Sequence, residues 1–94
     1  MASRPPISIG FKTSPNGVEW TVLDELWAAV GEHEIYRAIW VADHLTDAGV
    51  PRGGASWEAM TAVAALAHRV PGKWIGIGVL SNTFRQPVVL AKQA

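Results

Sequence analysis

The chain contains no cysteine, which removes both a disulfide framework and a thiolate metal site from consideration. It is also poor in charge. Only 17% of its residues are charged, and the eight basic side chains are balanced by eight acidic ones. No basic stripe is left to neutralise phosphates, so nucleic acid is not expected as a partner. No stretch reaches the roughly 18 apolar residues of a membrane span. The first residues lack the charged segment and continuous apolar run of an export signal. A cytoplasmic protein with no membrane partner is the resulting expectation. No spacing of His, Asp and Glu resembles a metal site, and none is expected.

What the chain has in excess is apolar surface. Of its 94 residues 49% are hydrophobic and five are Trp. A domain of this size buries only about two thirds of the surface its unfolded chain exposes. So apolar a composition in so small a domain predicts faces that meet another partner.

The chain is organised around Arg37-Ala38-Ile39-Trp40-Val41-Ala42-Asp43-His44, a mostly apolar run that ends in an acid and an imidazole. A buried strand delivering polar groups at its end reads this way. Before it, residues 1–6 form a leader in which Pro5-Pro6 excludes helix. Residues 7–11 alternate as a short strand, and Ser14-Pro15-Asn16-Gly17 is turn chemistry. Leu23, Leu26, Trp27 and Val30 then make a helical stripe. This helix begins between Val18 and Val22, with Thr21 and Asp24 as a weak capping box and Gly31 loosening its last turn.

After the central strand, residues 45–55 form a loop long enough to suggest a functional role. Ser56 is the expected cap of a helix over 57–69, with Met60, Val63, Ala64 and Ala67 as its stripe and an Ala-rich surface suited to a second chain. Glu58 reads as a first-turn acid that favours the helix dipole. Residues 74–80 read as a fully buried strand whose two glycines imply close backbone approach. Residues 81–86 form a polar loop, and Pro87 opens a last helix.

The order β-α-β-α-β-α predicts an α/β fold with parallel strands joined by right-handed crossovers. The alternatives are an open doubly wound sheet and a (β/α)8 TIM barrel. The glycine-rich turn of a dinucleotide site is absent after the first strand, and Gly76-Ile77-Gly78 lies inside the third.

Trp40-Val41-Ala42-Asp43-His44, then Trp57-Glu58-Ala59-Met60-Thr61 with Ala64-Ala65-Leu66-Ala67, then Gly76-Ile77-Gly78-Val79 leading to Arg85-Gln86-Pro87-Val88-Val89-Leu90-Ala91-Lys92 resemble the luciferase-like monooxygenases. That family includes bacterial luciferase and deazaflavin-dependent oxidoreductases. The resemblance implies that residues 1–94 are a single partial TIM-barrel segment, the first three βα units of eight. A whole barrel takes about 250 residues. The implied function is that of the N-terminal segment of a flavin- or deazaflavin-dependent oxidoreductase or monooxygenase, inactive as an isolated chain. The implied cofactor is FMN or the deazaflavin coenzyme F-420. The alternative is a non-enzymatic, self-associating interaction module. The partners expected are the remainder of the barrel or further copies of the chain, together with a small-molecule substrate.

His44 is the candidate catalytic residue, because an imidazole exchanges protons near neutral pH and a strand end aims it into a barrel mouth. Its plainer reading is a loop cap whose tautomer Asp43 fixes. The resemblance adds Asp43, Gly78, Val79, Ser81 and Asn82 as cofactor-binding candidates, and a cis peptide at Gly78-Val79 behind the flavin ring. From the residues alone, Gly78 is an ordinary strand glycine under a large neighbour, and Ser81 and Asn82 belong to a polar turn.

Overall fold

The computed structural model describes residues 7–45 and 54–94. The expected leader at 1–6 and the greater part of the expected 45–55 loop lie outside these residues. The chain runs β1 (Ile9–Thr13), α1 (Trp20–Glu32), β2 (Tyr36–Val41), α2 (Ala59–Arg69), β3 (Trp74–Ile77) and α3 (Pro87–Gln93). The three strands form one parallel sheet in the order β1-β2-β3. The α/β class and the parallel pairing expected from the sequence are therefore present. No helix among the described residues is long and apolar enough to cross a membrane.

Strand register determines which face each side chain takes, because side chains alternate along a strand. Phe11, Ile39 and Ile75 lie side by side, as do Thr13, Val41 and Ile77. This face carries the core: Ile39 and Val41 pack with Leu23, Trp27 and Val30 of α1 and with Ala59, Ala62 and Leu66 of α2. Both crossover helices thus cover the same side of the sheet. Full burial of Trp27, Leu23, Ile39, Leu66 and Val41 contributes about 1.5–3 kcal/mol each from apolar transfer. Trp20 continues the cluster by edge-to-face contacts at 5.7 Å to Trp27 and 5.2 Å to Trp57.

The opposite face carries Gly10, Lys12, Ala38, Trp40, Trp74 and Gly76, and among the described residues neither crossover helix packs on it. Trp40 remains 42% exposed and Trp74 80%. A Cβ on Gly10 would come within 3.0 Å of the Trp40 indole, and one on Gly76 within 2.5 Å. The indole therefore spreads over both neighbouring strands in space the two glycines leave.

Several local expectations change. The first strand is shifted to Ile9–Thr13, and the third stops at Ile77. The third strand is not fully buried, because it is a sheet edge with one bare face. The buried stripe of α2 is Ala59, Ala62 and Leu66, leaving Ala64 and Ala67 exposed. The small side chains of the first two let the helix approach the sheet closely, so size rather than hydropathy selects the inward face. Leu26 of the expected α1 stripe is 39% exposed. The helix α1 starts within the expected interval, but Glu19 is its N-cap, with no side-chain cap bond.

Gly31 does not loosen α1, which continues to Glu32. A Cβ there would stand 2.6 Å from Cγ1 of buried Val70, so Gly31 is the point where α1 meets the end of α2. Gly31→Ala sets a helix-propensity gain of about 1 kcal/mol against an overpacking cost of about 1–3 kcal/mol. Val70 is β-branched and buried and has little room to turn aside. Urea unfolding should therefore show a net loss of about 1 kcal/mol; a gain would mean that the contact relaxes freely.

Candidate functional site

Parallel strands in register share one end, and the segments following β1, β2 and β3 converge there. The segment after β1 folds over toward the one before α2. Asn16 and Ser56 form an isolated antiparallel bridge, Gly17 N–H donates to Ala55 C=O at 2.6 Å and Trp57 N–H to Pro15 C=O at 2.9 Å. Gly17 has φ 68°, the left-handed conformation expected of Asn-Gly. Buried Asn16 also ties in the residues leaving β2 by donating from Nδ2 to the His44 carbonyl at 3.2 Å. Ser56 is therefore a bridge residue and not the cap of α2.

The cap is Glu58, whose carboxylate accepts from Met60 N–H at 3.0 Å, Thr61 N–H at 2.8 Å and the Thr61 hydroxyl at 2.9 Å. Its fourth donor comes from Arg85, whose Nη2 lies 2.9 Å from Oε2. The same Nη2 donates to Asp43 Oδ1 at 2.6 Å, while Nε reaches Asp43 Oδ2 at 3.3 Å. Ser81 N–H donates to that Oδ2 at 2.7 Å. Side-chain exposure is 10% for Arg85 and 4% for Asp43. One guanidinium thus joins the end of β2, the start of α2 and the segment leading into α3. Planar, forked donors make Arg the side chain suited to this task.

Burial works against the Arg85 charge, but the bonds to Asp43 and Glu58, with their Coulombic attraction, outweigh it and raise its pKa above the ordinary value. For Glu58, partial burial opposes ionisation. The Met60 and Thr61 N–H groups, then the Thr61 hydroxyl and Arg85, overcome this and lower its pKa from 4.5 to about 2.

Asp43 and His44 leave the end of β2 in different ways. The Asp43 carboxylate is occupied by Ser81 and Arg85, whereas His44 is exposed and borders a shallow cleft of about 210 Å³. The cleft walls include Asn16, Leu45, Trp57, Glu58 and Phe84. Comparison with protein-family models, with curated proteins and with solved structures finds no match.

The structure brings Asp43 and Ser81 into direct contact, and the Gly78 N–H donates to the Val41 carbonyl at 3.0 Å. The Gly78-Val79 peptide bond is cis, so Gly78 is not the ordinary strand glycine that the residues alone suggest. Its neighbour is nevertheless large: a Cβ there would lie 3.6 Å from the Trp40 ring. Val79 and Asn82 are exposed and do not line the His44 cleft, and the Ser81 hydroxyl bonds that of Thr83 at 3.1 Å. No group of three His, Asp or Glu among the described residues is placed to hold a metal ion.

Sequence reading missed Arg85 as the centre of the cluster and Glu58 as a cap. The available signal was Arg85 itself, a charged residue between Phe84 and the helix-opening Gln86-Pro87. Its partners lie 42 and 27 positions away, beyond any local pattern.

Because its folded-state pKa is depressed, Glu58 adds stability that is complete above about pH 4.5 and is lost as the pH falls toward about 2. The side chain is half exposed, so solvent screens part of this gain. Glu58→Gln should lower stability at pH 7 and flatten the loss between these pH values in thermal melts. An unchanged acid profile would show that Glu58 does not carry this dependence.

Proposed function

We propose that the chain forms the first three βα units of a luciferase-like (β/α)8 barrel and contributes His44 to flavin- or deazaflavin-dependent oxidoreduction or monooxygenation. The observation that supports this most is the apolar face that one-sided winding leaves uncovered. Strands follow in sequence order with both crossover helices on one face and Trp40 and Trp74 bare on the other. Three consecutive strands wound one way are common to a barrel wall and to half of a doubly wound sheet; the large apolar side chains left on the uncovered face fit the barrel, which turns that face inward. The remaining strands of the barrel, or further copies of the chain, cover this face and pair the open edges of β1 and β3.

In this reading the shared strand end is the barrel mouth. His44, on the cleft wall, exchanges a proton or hydrogen-bonds beside the reacting ring, and Asp43 holds the strand end in place through Arg85 and Ser81. FMN or coenzyme F-420 supplies the redox chemistry when bound. The residues here fit the ring end of such a cofactor and not its phosphate. The N–H groups of Met60 and Thr61 at the start of α2 are taken by Glu58, so the phosphate site belongs to other strands of the barrel. In this reading the ring extends beyond the His44 cleft to Asn82 and the Gly78-Val79 backbone, Ser81 holds the turn there through Asp43 and Thr83, and a small-molecule substrate completes the site.

The test is turnover with FMN and with F-420 by the complete barrel containing this segment, compared with its His44→Ala variant. The expected result is a loss of about 100-fold in kcat with cofactor affinity preserved, the usual scale for one acid-base group. Equal turnover in the variant contradicts the role of His44, and absence of binding to either cofactor contradicts the family reading.

A further inference from the structure

From the charge balance of the His44 cleft we infer that it selects a small ligand with an apolar body and a cationic head, and rejects anions. The inference rests on the proposed function only in taking this cleft as the substrate's place.

Among the described residues, the helix-start N–H groups and the guanidinium beside this cleft are already engaged, which leaves His44 and the Ser56 hydroxyl as the donors on its walls. The Met60 and Thr61 N–H groups and the Thr61 hydroxyl are donated to Glu58, and the Arg85 guanidinium is divided between Glu58 and Asp43. Two carboxylates share one guanidinium, so the cluster keeps a net negative charge. That charge is reachable on one side only: the Asp43 side chain is 4% exposed, whereas that of Glu58 is 50% exposed on the cleft wall.

The other walls supply the apolar body's surroundings. Trp57, Phe84 and Leu45 line the cleft, with Phe84 43% and Leu45 69% exposed; the Arg85 guanidinium already lies over the Phe84 ring, 5.3 Å from its centroid, so Trp57 and the uncovered part of Phe84 are what a ligand meets. The Trp57 indole N–H is fixed by donation to the Val18 carbonyl at 2.8 Å, which holds the ring in place. Aromatic rings beside an accessible carboxylate form the chemistry that recognises an organic ammonium, by attraction to the ring quadrupole and to the charge together. At about 210 Å³ the cleft is smaller than the usual 300–1,000 Å³ ligand pocket, which limits it to a small molecule or the head of a larger one.

Benzylammonium, benzyl alcohol and benzoate present one body with three charges. Each is titrated at pH 7 into the 94-residue chain and followed through the Trp57 indole N–H and the Met60 and Thr61 amide resonances. Benzylammonium should bind most tightly, about tenfold or more ahead of benzoate. Glu58→Gln, which retains a side chain able to cap α2, should reduce that preference about fivefold to tenfold for a half-exposed charge. Phe84→Leu keeps every charge but removes the ring against Arg85, so unshifted Met60 and Thr61 amide resonances in the free variant must first show the cluster intact; it should then weaken benzylammonium while preserving the charge order, and gives a second readout if the Glu58 variant unfolds.

Benzoate binding as tightly as benzylammonium, no response of these resonances to any probe, or an unchanged preference in Glu58→Gln overturns the inference. The experiment contains no flavin. Failure to bind cofactor or turn over therefore counts against the barrel reading alone, and a charge-blind cleft in a cofactor-binding barrel counts against this inference alone.

Discussion

Arg85 is the group on which the polar end of the molecule depends. Its side chain is nine-tenths buried, and its guanidinium is bonded to carboxylates from two other parts of the chain. Burying such charges carries a desolvation cost that can cancel their attraction, so the cluster need not add much net stability. Its effect is on geometry. A forked donor with two filled acceptors allows few arrangements, and here it sets the end of β2 against the start of α2 and the approach to α3. The cleft beside His44 inherits its shape from that arrangement. Replacing one partner leaves a buried charge uncompensated, which typically costs about 3–5 kcal/mol.

The opposite requirement, very close packing, governs the rest of the fold. Alanines 59 and 62 bring α2 onto the sheet, and Gly31 admits Val70 at the join of the two helices. On the bare face Gly10 and Gly76 make room for Trp40. The same residue type therefore serves two purposes: glycine in a helix closes the core, and glycine in strands leaves an indole spread over an uncovered surface. Trp20, Trp27 and Trp57 belong to the first environment, Trp40 and Trp74 to the second.

The element order and parallel sheet were legible in the sequence because period and punctuation are local signals: alternation at β1, the spacing of Leu23, Trp27 and Val30, and Pro71-Gly72 after α2. The α2 stripe was misread because alanines appear on both sides of the helix, and hydropathy does not say which small side chain faces the sheet. The α2 cap was misread because Ser56 is the better residue by type, yet pairing with Asn16 removes it from the helix start. Asp43 and His44 were visible as polar groups after an apolar run. Their division into a buried ion-pair partner and an exposed cleft residue was not visible, because it depends on Arg85 across 42 positions.

A double-mutant cycle between Asp43 and Arg85 tests the central role of the cluster most directly. Asp43→Asn, Arg85→Met and the double variant are compared with the parent by urea unfolding at pH 7, and the cycle isolates the energy the two residues share. The account predicts a coupling of about 2 kcal/mol or more, with the double variant less damaged than the two single losses combined. Additivity within about 0.5 kcal/mol would contradict it, and would mean that the polar end of the sheet holds together without Arg85.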